Sequence, residues 1–238
     1  MSPGEEIDFS KLYLTRNSIT DYENLCKLDV LGLEDVQEVD DPVYDRFQKQ
    51  LTRSSEGWYE TGLLWKQEVN TLENNKAGSL GRLQKLIEKL EKNPELFNKY
   101  DQIIQDQIAD AIVEKAPESS ERTEFYLPHR SVIRENAEST KIRIVYDGSA
   151  KAIESTNSLN ECLETGPPLQ NLIWDIVIRN RLNPIAFTGN MKQAFLQIRI
   201  RQEDRDCLRF HWIVDKKLSN IVVLRFTRAI FGLVQSPF

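Results

Sequence analysis

The stretch IAFTGNMKQAFLQIRI, residues 185–200, decides the fold predicted for this chain. Its apolar runs at 185–189 and 196–200 have the length and composition of β-strands, and the polar residues between them form a short turn. Asn190 stands in that turn, directly after the first strand. Asparagine suits turns on its own account, so the residue alone predicts only a turn. Its neighbours along the chain decide whether it has a further role.

The segments around this stretch predict a small sheet and a helix. Further strands are predicted at 125–133, 142–146, 208–214 and 221–227, the last two as a hairpin. Gly166 and the two prolines after it begin a helix that continues to about residue 178. Because this helix is apolar over most of its circumference, we expect it to be buried.

The first half of the chain has a helical pattern. Helices are predicted at 21–33, 42–53, 80–90 and 93–116, after a tail at 1–20. The pairs Asp41-Pro42 and Asn93-Pro94 are start signals, because a capping side chain stands before a proline in the first turn. Helices ahead of a mixed antiparallel sheet indicate the α+β class. Polar residues at 119–121 mark the predicted boundary between the halves.

The composition narrows the class of protein. No run approaches the roughly 18 apolar residues of a transmembrane helix. The N-terminus lacks the basic and apolar regions of a signal peptide. The three cysteines, at 26, 162 and 207, are too few and too widely spaced for a disulfide framework or a zinc site. These features predict an intracellular protein that has no membrane partner.

The net charge of −6 conceals an asymmetry. Residues 1–120 hold 14 Lys and Arg against 24 Asp and Glu, a balance of −10. Residues 121–238 hold 17 against 13, a balance of +4. The basic second half is weak evidence for a nucleic-acid partner, since a solvated surface of mixed charge explains the same numbers.

The order of motifs resembles the reverse transcriptase of BEL/Pao-type LTR retrotransposons. In the second half the similar segments are 126–134, 140–150, 158–169, the turn at Asn190 and FGLVQSP at 231–237. In the first half LDVLGL at 28–33, GWYE at 57–60, LWK at 64–66 and the helix pair 80–116 resemble the connector between protease and polymerase. The resemblance implies a helical connector at 21–120. It also implies an incomplete right-hand polymerase, fingers and palm, at 121–238, which ends within motif B.

The same resemblance implies that the family has RNA-directed DNA polymerase activity. Two features of this chain argue that it lacks this activity. Nucleotidyl transfer uses two Mg²⁺ ions, which prefer carboxylate ligands. Asn190 matches the motif A aspartate but carries a neutral amide, and the sequence contains no Tyr-x-Asp-Asp motif after motif B. We therefore expect a family that acts on an RNA or DNA template-primer with dNTPs and Mg²⁺. This chain by itself is expected to be inactive.

The family's nucleotide-binding positions fall on four residues here. Arg143 matches the basic residue of the fingers that contacts the triphosphate, a task that suits a bidentate guanidinium. Phe195 matches the aromatic residue that packs under the sugar, and Phe231 and Gly232 match the start of the motif that lines the pocket. Each residue also has an ordinary structural interpretation: Arg143 as a surface arginine, Phe195 as a core residue, and Phe231 and Gly232 as part of a loop.

A second class of function is a binding module without catalysis. Arg130, Arg134 and Lys141 lie near Arg143 in the sequence, interleaved with tyrosines, and such a patch suits a template backbone. A decayed remnant with no role is the third possibility. The acidic residues Glu203, Asp204 and Asp206 predict surface charges, and the isolated histidines His129 and His211 predict structural roles.

Overall fold

The structure is a computed structural model that describes residues 41–67, 72–120, 123–133, 142–167, 171–182, 189, 193–215 and 218–235. It divides the chain into two compact units. One comprises 40–170 with 190–238, and the other 1–39 with 171–189. The predicted boundary near residue 120 lies inside the first unit. The helix predicted at 21–33 lies outside the described residues, as does the strand predicted at 185–189 apart from Gly189.

The helices of the larger unit are α1 (Pro42–Gln50), α2 (Lys76–Glu91), α3 (Pro94–Ala109) and the short α4 (Leu159–Cys162). Both predicted start signals are confirmed. The Asp41 carboxylate accepts the Val43 amide at 2.7 Å, and the Asn93 side chain accepts the Leu96 amide at 3.1 Å. Each cap satisfies an amide that has no partner within its own helix. None of the described helices is long and apolar enough to cross a membrane.

The strands form three small sheets, so the chain belongs to the α+β class. They are β1 (Thr52–Arg53), β2 (Tyr59–Thr61), β3 (Val113–Lys115), β4 (His129–Ile133), β5 (Ile142–Tyr146), β6 (Ile198–Ile200), β7 (Arg209–Ile213) and β8 (Ile221–Phe226). The sheet orders are β1-β2-β6, β3-β8-β7 and β4-β5. Only β2 and β6 pair in parallel among the described strands. The predicted β7–β8 hairpin pairing is confirmed.

One hydrophobic core joins the two halves of the sequence. Tyr100 of α3 stacks on Trp212 of β7 with ring centroids 5.1 Å apart, and Phe97 meets the same ring edge-on. Phe210 and Phe226 complete this part of the core from β7 and β8. Because helices of the first half cover strands of the second, neither half has a separate core among the described residues.

The helix predicted at 93–116 is wrong in its last third. Helix α3 ends at Ala109, and Ala111 adopts a positive φ of 52°. The chain then forms β3, in which Val113 lies opposite Phe226 of β8. The apolar stripe that suggested a longer helix is therefore interrupted. The β-branched residues at its end belong to a strand that pairs with β8 instead.

The smaller unit contributes one described helix, α5 (Ile173–Leu182). Its start lies several residues beyond the predicted one. The expectation that it is buried is wrong, because Ile173 and Trp174 are each 73% exposed. The apolar side chains of a helix can be read from its sequence, but that sequence does not show whether another element packs against them.

Asp204 and Asp206 are buried, contrary to the surface position predicted for them. Asp204 accepts hydrogen bonds from the Leu63 amide at 2.8 Å and the Trp65 indole at 3.0 Å. Asp206 forms ion pairs of 2.9 Å with Arg209 and with Arg225. Apart from Arg209, which follows Asp206 by three residues, these partners come from more distant parts of the chain, so the local sequence gives little sign that the acids are buried.

Candidate nucleic-acid interface

The β4–β5 hairpin presents two predicted site residues on one face. Its register sets Arg130 opposite Val145 and Val132 opposite Arg143. Residues opposite one another in an antiparallel pair share a face, as do alternate residues of one strand. Arg130 and Arg143 therefore lie diagonally on the same face, and both are exposed. The structure thus brings together two of the basic residues that the sequence singled out.

The other face of the hairpin belongs to the core and fixes its position. His129 and Tyr146 lie opposite each other with ring centroids 5.4 Å apart. Both rings pack against Phe210 of β7. Because one face is anchored by aromatic packing, the arginine face has a defined orientation.

A basic groove of about 660 Å³ lies between α2 and this hairpin. Four cationic side chains line it: Arg82, Lys85 and Lys89 from α2 and Arg130 from β4. Positions spaced by three and four residues share one face of a helix, so the three α2 cations form a row. We call this feature the α2–β4 groove.

The α2–β4 groove keeps an excess of positive charge. Arg82 is paired with Asp147 at 2.7 Å, and Asp147 is the only acidic residue among those that line the groove. No ion pair of Lys85, Lys89 or Arg130 occurs within the described residues. A row of unpaired cations along a groove attracts a chain of phosphates more strongly than it attracts single ions.

Sequence reasoning missed the contribution of α2 to this groove. Lys85 and Lys89 belong to the acidic first half, whose balance of −10 hides them. Only the packing of α2 beside β4 brings them to the hairpin. The one available signal was their helical spacing with Arg82, which is also typical of any solvated helix face.

A second pocket, of about 200 Å³, brings together two predicted nucleotide-binding residues. The rings of Phe195 and Phe231 lie 5.8 Å apart, and Ile144 and Tyr146 of β5 line the same pocket. None of its described lining residues is charged. Arg143 lies on the opposite face of β5 from Ile144, so the predicted triphosphate contact is not assembled there.

Gly232 holds the loop after β8 close to the hairpin. Its φ is +112°, and a Cβ atom there would lie 2.9 Å from the carbonyl oxygen of Tyr146. Glycine is required by both the backbone conformation and this approach. Asn160 of α4 fixes the same loop, since it donates to the Gly232 carbonyl at 3.2 Å and accepts from the Val234 amide at 3.1 Å. The sequence had not singled out Asn160.

The remaining predicted site residues lie outside the described residues: Asn190, Arg134 and Lys141. Among the residues that the structure describes, no three His, Cys, Asp or Glu side chains converge as metal ligands. Asn190, which the sequence analysis predicts to match motif A, has a neutral amide side chain.

No protein-family model matches this sequence, and a search of curated proteins finds no significant relative.

Proposed function

We propose that this chain binds single-stranded nucleic acid along the α2–β4 groove and does not polymerise it. In this proposal its second half resembles the fingers and palm of a BEL/Pao reverse transcriptase. The observation that supports it best is the row of Lys85, Lys89 and Arg130, which carries no ion pairs among the described residues. Such a ligand is met inside the cell, in agreement with the location expected from the sequence.

The groove suits a flexible strand better than a single small anion. Its cations are distributed along two turns of α2 and across to β4, which matches a phosphate backbone that extends through it. Tyr146 lines both the groove and the aromatic pocket. The exposed ring of Phe231 at that pocket offers a surface on which a base can stack.

The absence of polymerisation is inferred from Asn190. A carboxylate at that position supplies an anionic oxygen to a hard cation, whereas an amide supplies a weaker neutral oxygen and an N–H₂ group that repels the ion. In this proposal the chain keeps the cations that bind a phosphate backbone, while an amide replaces one of the carboxylates that would bind a metal ion. Binding and catalysis are separable on this basis, and each has its own test.

Replacing two groove cations is expected to weaken RNA binding and to reduce its salt dependence. Each phosphate contact to a single strand contributes a slope of about −0.7 in log K against log salt. Lys85→Gln with Lys89→Gln should therefore lower the magnitude of the slope by about 1.4 and the affinity about 20-fold at 0.1 M salt. Fluorescence anisotropy with a labelled single-stranded RNA over a salt series measures both quantities.

The matched control is Lys49→Gln with Lys115→Gln, which removes the same charge from exposed positions away from the groove. It should retain nearly all of the affinity, apart from a small long-range effect. Equal losses in the two double variants would show that net charge, and not the groove, determines binding. Undetectable RNA binding by the unmodified chain at low salt would refute the proposal.

Primer extension by this chain is expected to be undetectable. The physical reason is that the amide of Asn190 does not replace the anionic ligand of a two-metal site. The assay uses an annealed RNA template and DNA primer with all four dNTPs, with Mg²⁺ and separately with Mn²⁺. A functioning polymerase in parallel reactions validates the substrates. Extension that requires this chain would contradict the proposal of a non-polymerising protein.

A further inference from the structure

Arg228 is a buried cation whose guanidinium lacks acceptors. The residue is only 7% exposed, and its Nε and Nη1 atoms have no hydrogen-bond partner within the described residues. The guanidinium carbon lies 4.4 Å from the centre of the Trp58 ring. A cation–π contact compensates part of the cost of burial but does not satisfy the N–H donors. The side chain is therefore buried with two donor atoms that lack acceptors within the described residues.

The surroundings of Arg228 add positive charge. Arg199 lies opposite it in a strand bridge and contacts the same Trp58 ring at 5.2 Å. Burial lowers the pKa of Arg228, and the nearby Arg199 and Arg205 lower it further, with Glu56 opposing them. Arg205 is engaged with Glu114, which also pairs with Arg225. The carboxylate of Glu56 thus serves as the counterion of this pair of arginines.

Glu56 occupies this place from an exposed turn. It pairs with Arg199 at 2.7 Å, yet its side chain is 65% exposed. The turn from Ser54 to Trp58 contains Gly57 at a φ of +88° and is closed by a 2.8 Å hydrogen bond from the Ser54 amide to the Trp58 carbonyl. An ion pair this exposed contributes little stability, so another oxyanion can replace it at low cost.

We propose that Arg199 and Arg228 form a binding site for a phosphate-class oxyanion, with Glu56 as the group displaced and the Trp58 ring as its wall. Guanidinium groups bind phosphate through paired N–H donors, and the guanidinium groups of both arginines contact the same Trp58 ring. This site is distinct from the α2–β4 groove, whose cations come from α2 and β4. It adds a second anion-binding function to the one proposed above.

Isothermal titration of the full chain with inorganic pyrophosphate in low-chloride buffer tests the site. The unmodified chain is expected to bind, and Arg228→Gln to lose at least about tenfold in affinity, since it removes a charged hydrogen-bonding partner. Glu56→Gln is expected to bind several-fold more tightly, because it removes the competing carboxylate. This second variant changes only an exposed residue, so it tests the site even where Arg228→Gln fails to fold.

Two comparisons separate this site from the groove. Lys85→Gln with Lys89→Gln should leave pyrophosphate binding at Arg228 intact, as should Lys115→Gln. Loss of pyrophosphate binding in the groove variant together with full binding in Arg228→Gln would overturn the inference. So would the absence of binding by both the unmodified chain and Glu56→Gln at millimolar pyrophosphate.

Binding of a labelled oligonucleotide to the same variants identifies the source of the phosphate. If Arg228→Gln weakens oligonucleotide binding as well as pyrophosphate binding, the site takes a backbone phosphate. If only pyrophosphate binding falls, the site takes a free phosphate compound. Either result supports the assignment of the residues, because both depend on Arg228.

Discussion

Lowering the pH from 7 to 4.5 is expected to reduce the free energy of unfolding by roughly 5 kcal/mol, because both histidines are held neutral in the fold. The pKa values of His129 and His211 are each lowered from 6.5 to about 4, chiefly by burial. Above pH 6.5 the folded and unfolded chains are both neutral at these rings. Between 6.5 and 4 only the unfolded chain takes up the protons, so stability falls across that interval.

The contacts of His129 explain why its neutral form is favoured. Its Nε2 lies 2.9 Å from the carbonyl oxygen of His211 and must donate to it, since a carbonyl only accepts. The neutral ring therefore has an acceptor at Nδ1, where the hydroxyl of Tyr100 donates. The ring also packs among Tyr146, Phe210 and Trp212, which offer no counterion for an imidazolium.

His211 is expected to carry about half of the loss, because its pKa is lowered to the same value as that of His129. Its Nδ1 bonds to the Ser79 hydroxyl at 3.1 Å, and its ring stacks on Tyr126 at 4.6 Å. The nearby charge of Lys76 also opposes protonation. Burial of the ring and the charge of Lys76 thus both disfavour the charged form of His211.

Urea denaturation at pH 7, 6, 5 and 4.5 measures this slope. The chain contains only two histidines, so no other imidazole contributes. His211→Phe keeps a ring on Tyr126 and should remove about half of the loss between pH 6.5 and 4.5. The lowered carboxyl pKa values of Asp206 and Glu161 act below about pH 4.5 and stay outside this window. A free energy of unfolding that stays constant from pH 7 to 4.5 would refute the argument.

Removing the Asp206 carboxylate is expected to cost about 3–5 kcal/mol of stability. Asp206 binds Arg209 and Arg225, whose side chains are 3% and 9% exposed, and accepts the Ser120 hydroxyl at 2.7 Å. Burial alone would raise the pKa of Asp206, but these hydrogen bonds lower it, so the group is charged at neutral pH. Asp206→Ala leaves two enclosed guanidinium groups without their shared anion.

The rest of the network limits the loss without cancelling it. Glu124 still pairs with Arg209 at 2.7 Å, and Glu114 with Arg225 at 2.7 Å. Thermal and urea denaturation at pH 7 measure the effect. Lys99→Gln, in the exposed ion pair with Glu95, serves as the control and should leave the midpoint nearly unchanged. If Asp206→Ala is as stable as that control, the buried network does not stabilise the fold.

Local chemistry made some elements of this fold predictable. Capping side chains before prolines identified the starts of α1 and α3, and short β-rich runs identified β4, β5, β7 and β8. The end of α3 was not predictable in the same way. There, pairing of Val113 with β8 outweighed the helical period, and a partner more than a hundred residues away leaves no local sign.

The candidate site was predictable only in part, for the same reason. Proximity in the sequence was sufficient to group Arg130 with Arg143, and the order of the motifs was sufficient to relate Phe195 to Phe231. Lys85, Lys89 and the unsatisfied Arg228 acquire their significance from tertiary neighbours. A charged residue on a helix or strand has the same local pattern whether it faces solvent, a groove or an aromatic ring.

The parallel pairing of β2 with β6 has a consequence for how the chain is made. Tyr59 lies opposite Ile198, so this pair of strands closes only after residue 198 has left the ribosome. Contacts of such high sequence separation slow folding and leave the early-synthesised helices without their strand partners in the meantime. Nascent chains of this protein are therefore expected to depend on chaperone protection until β6 emerges.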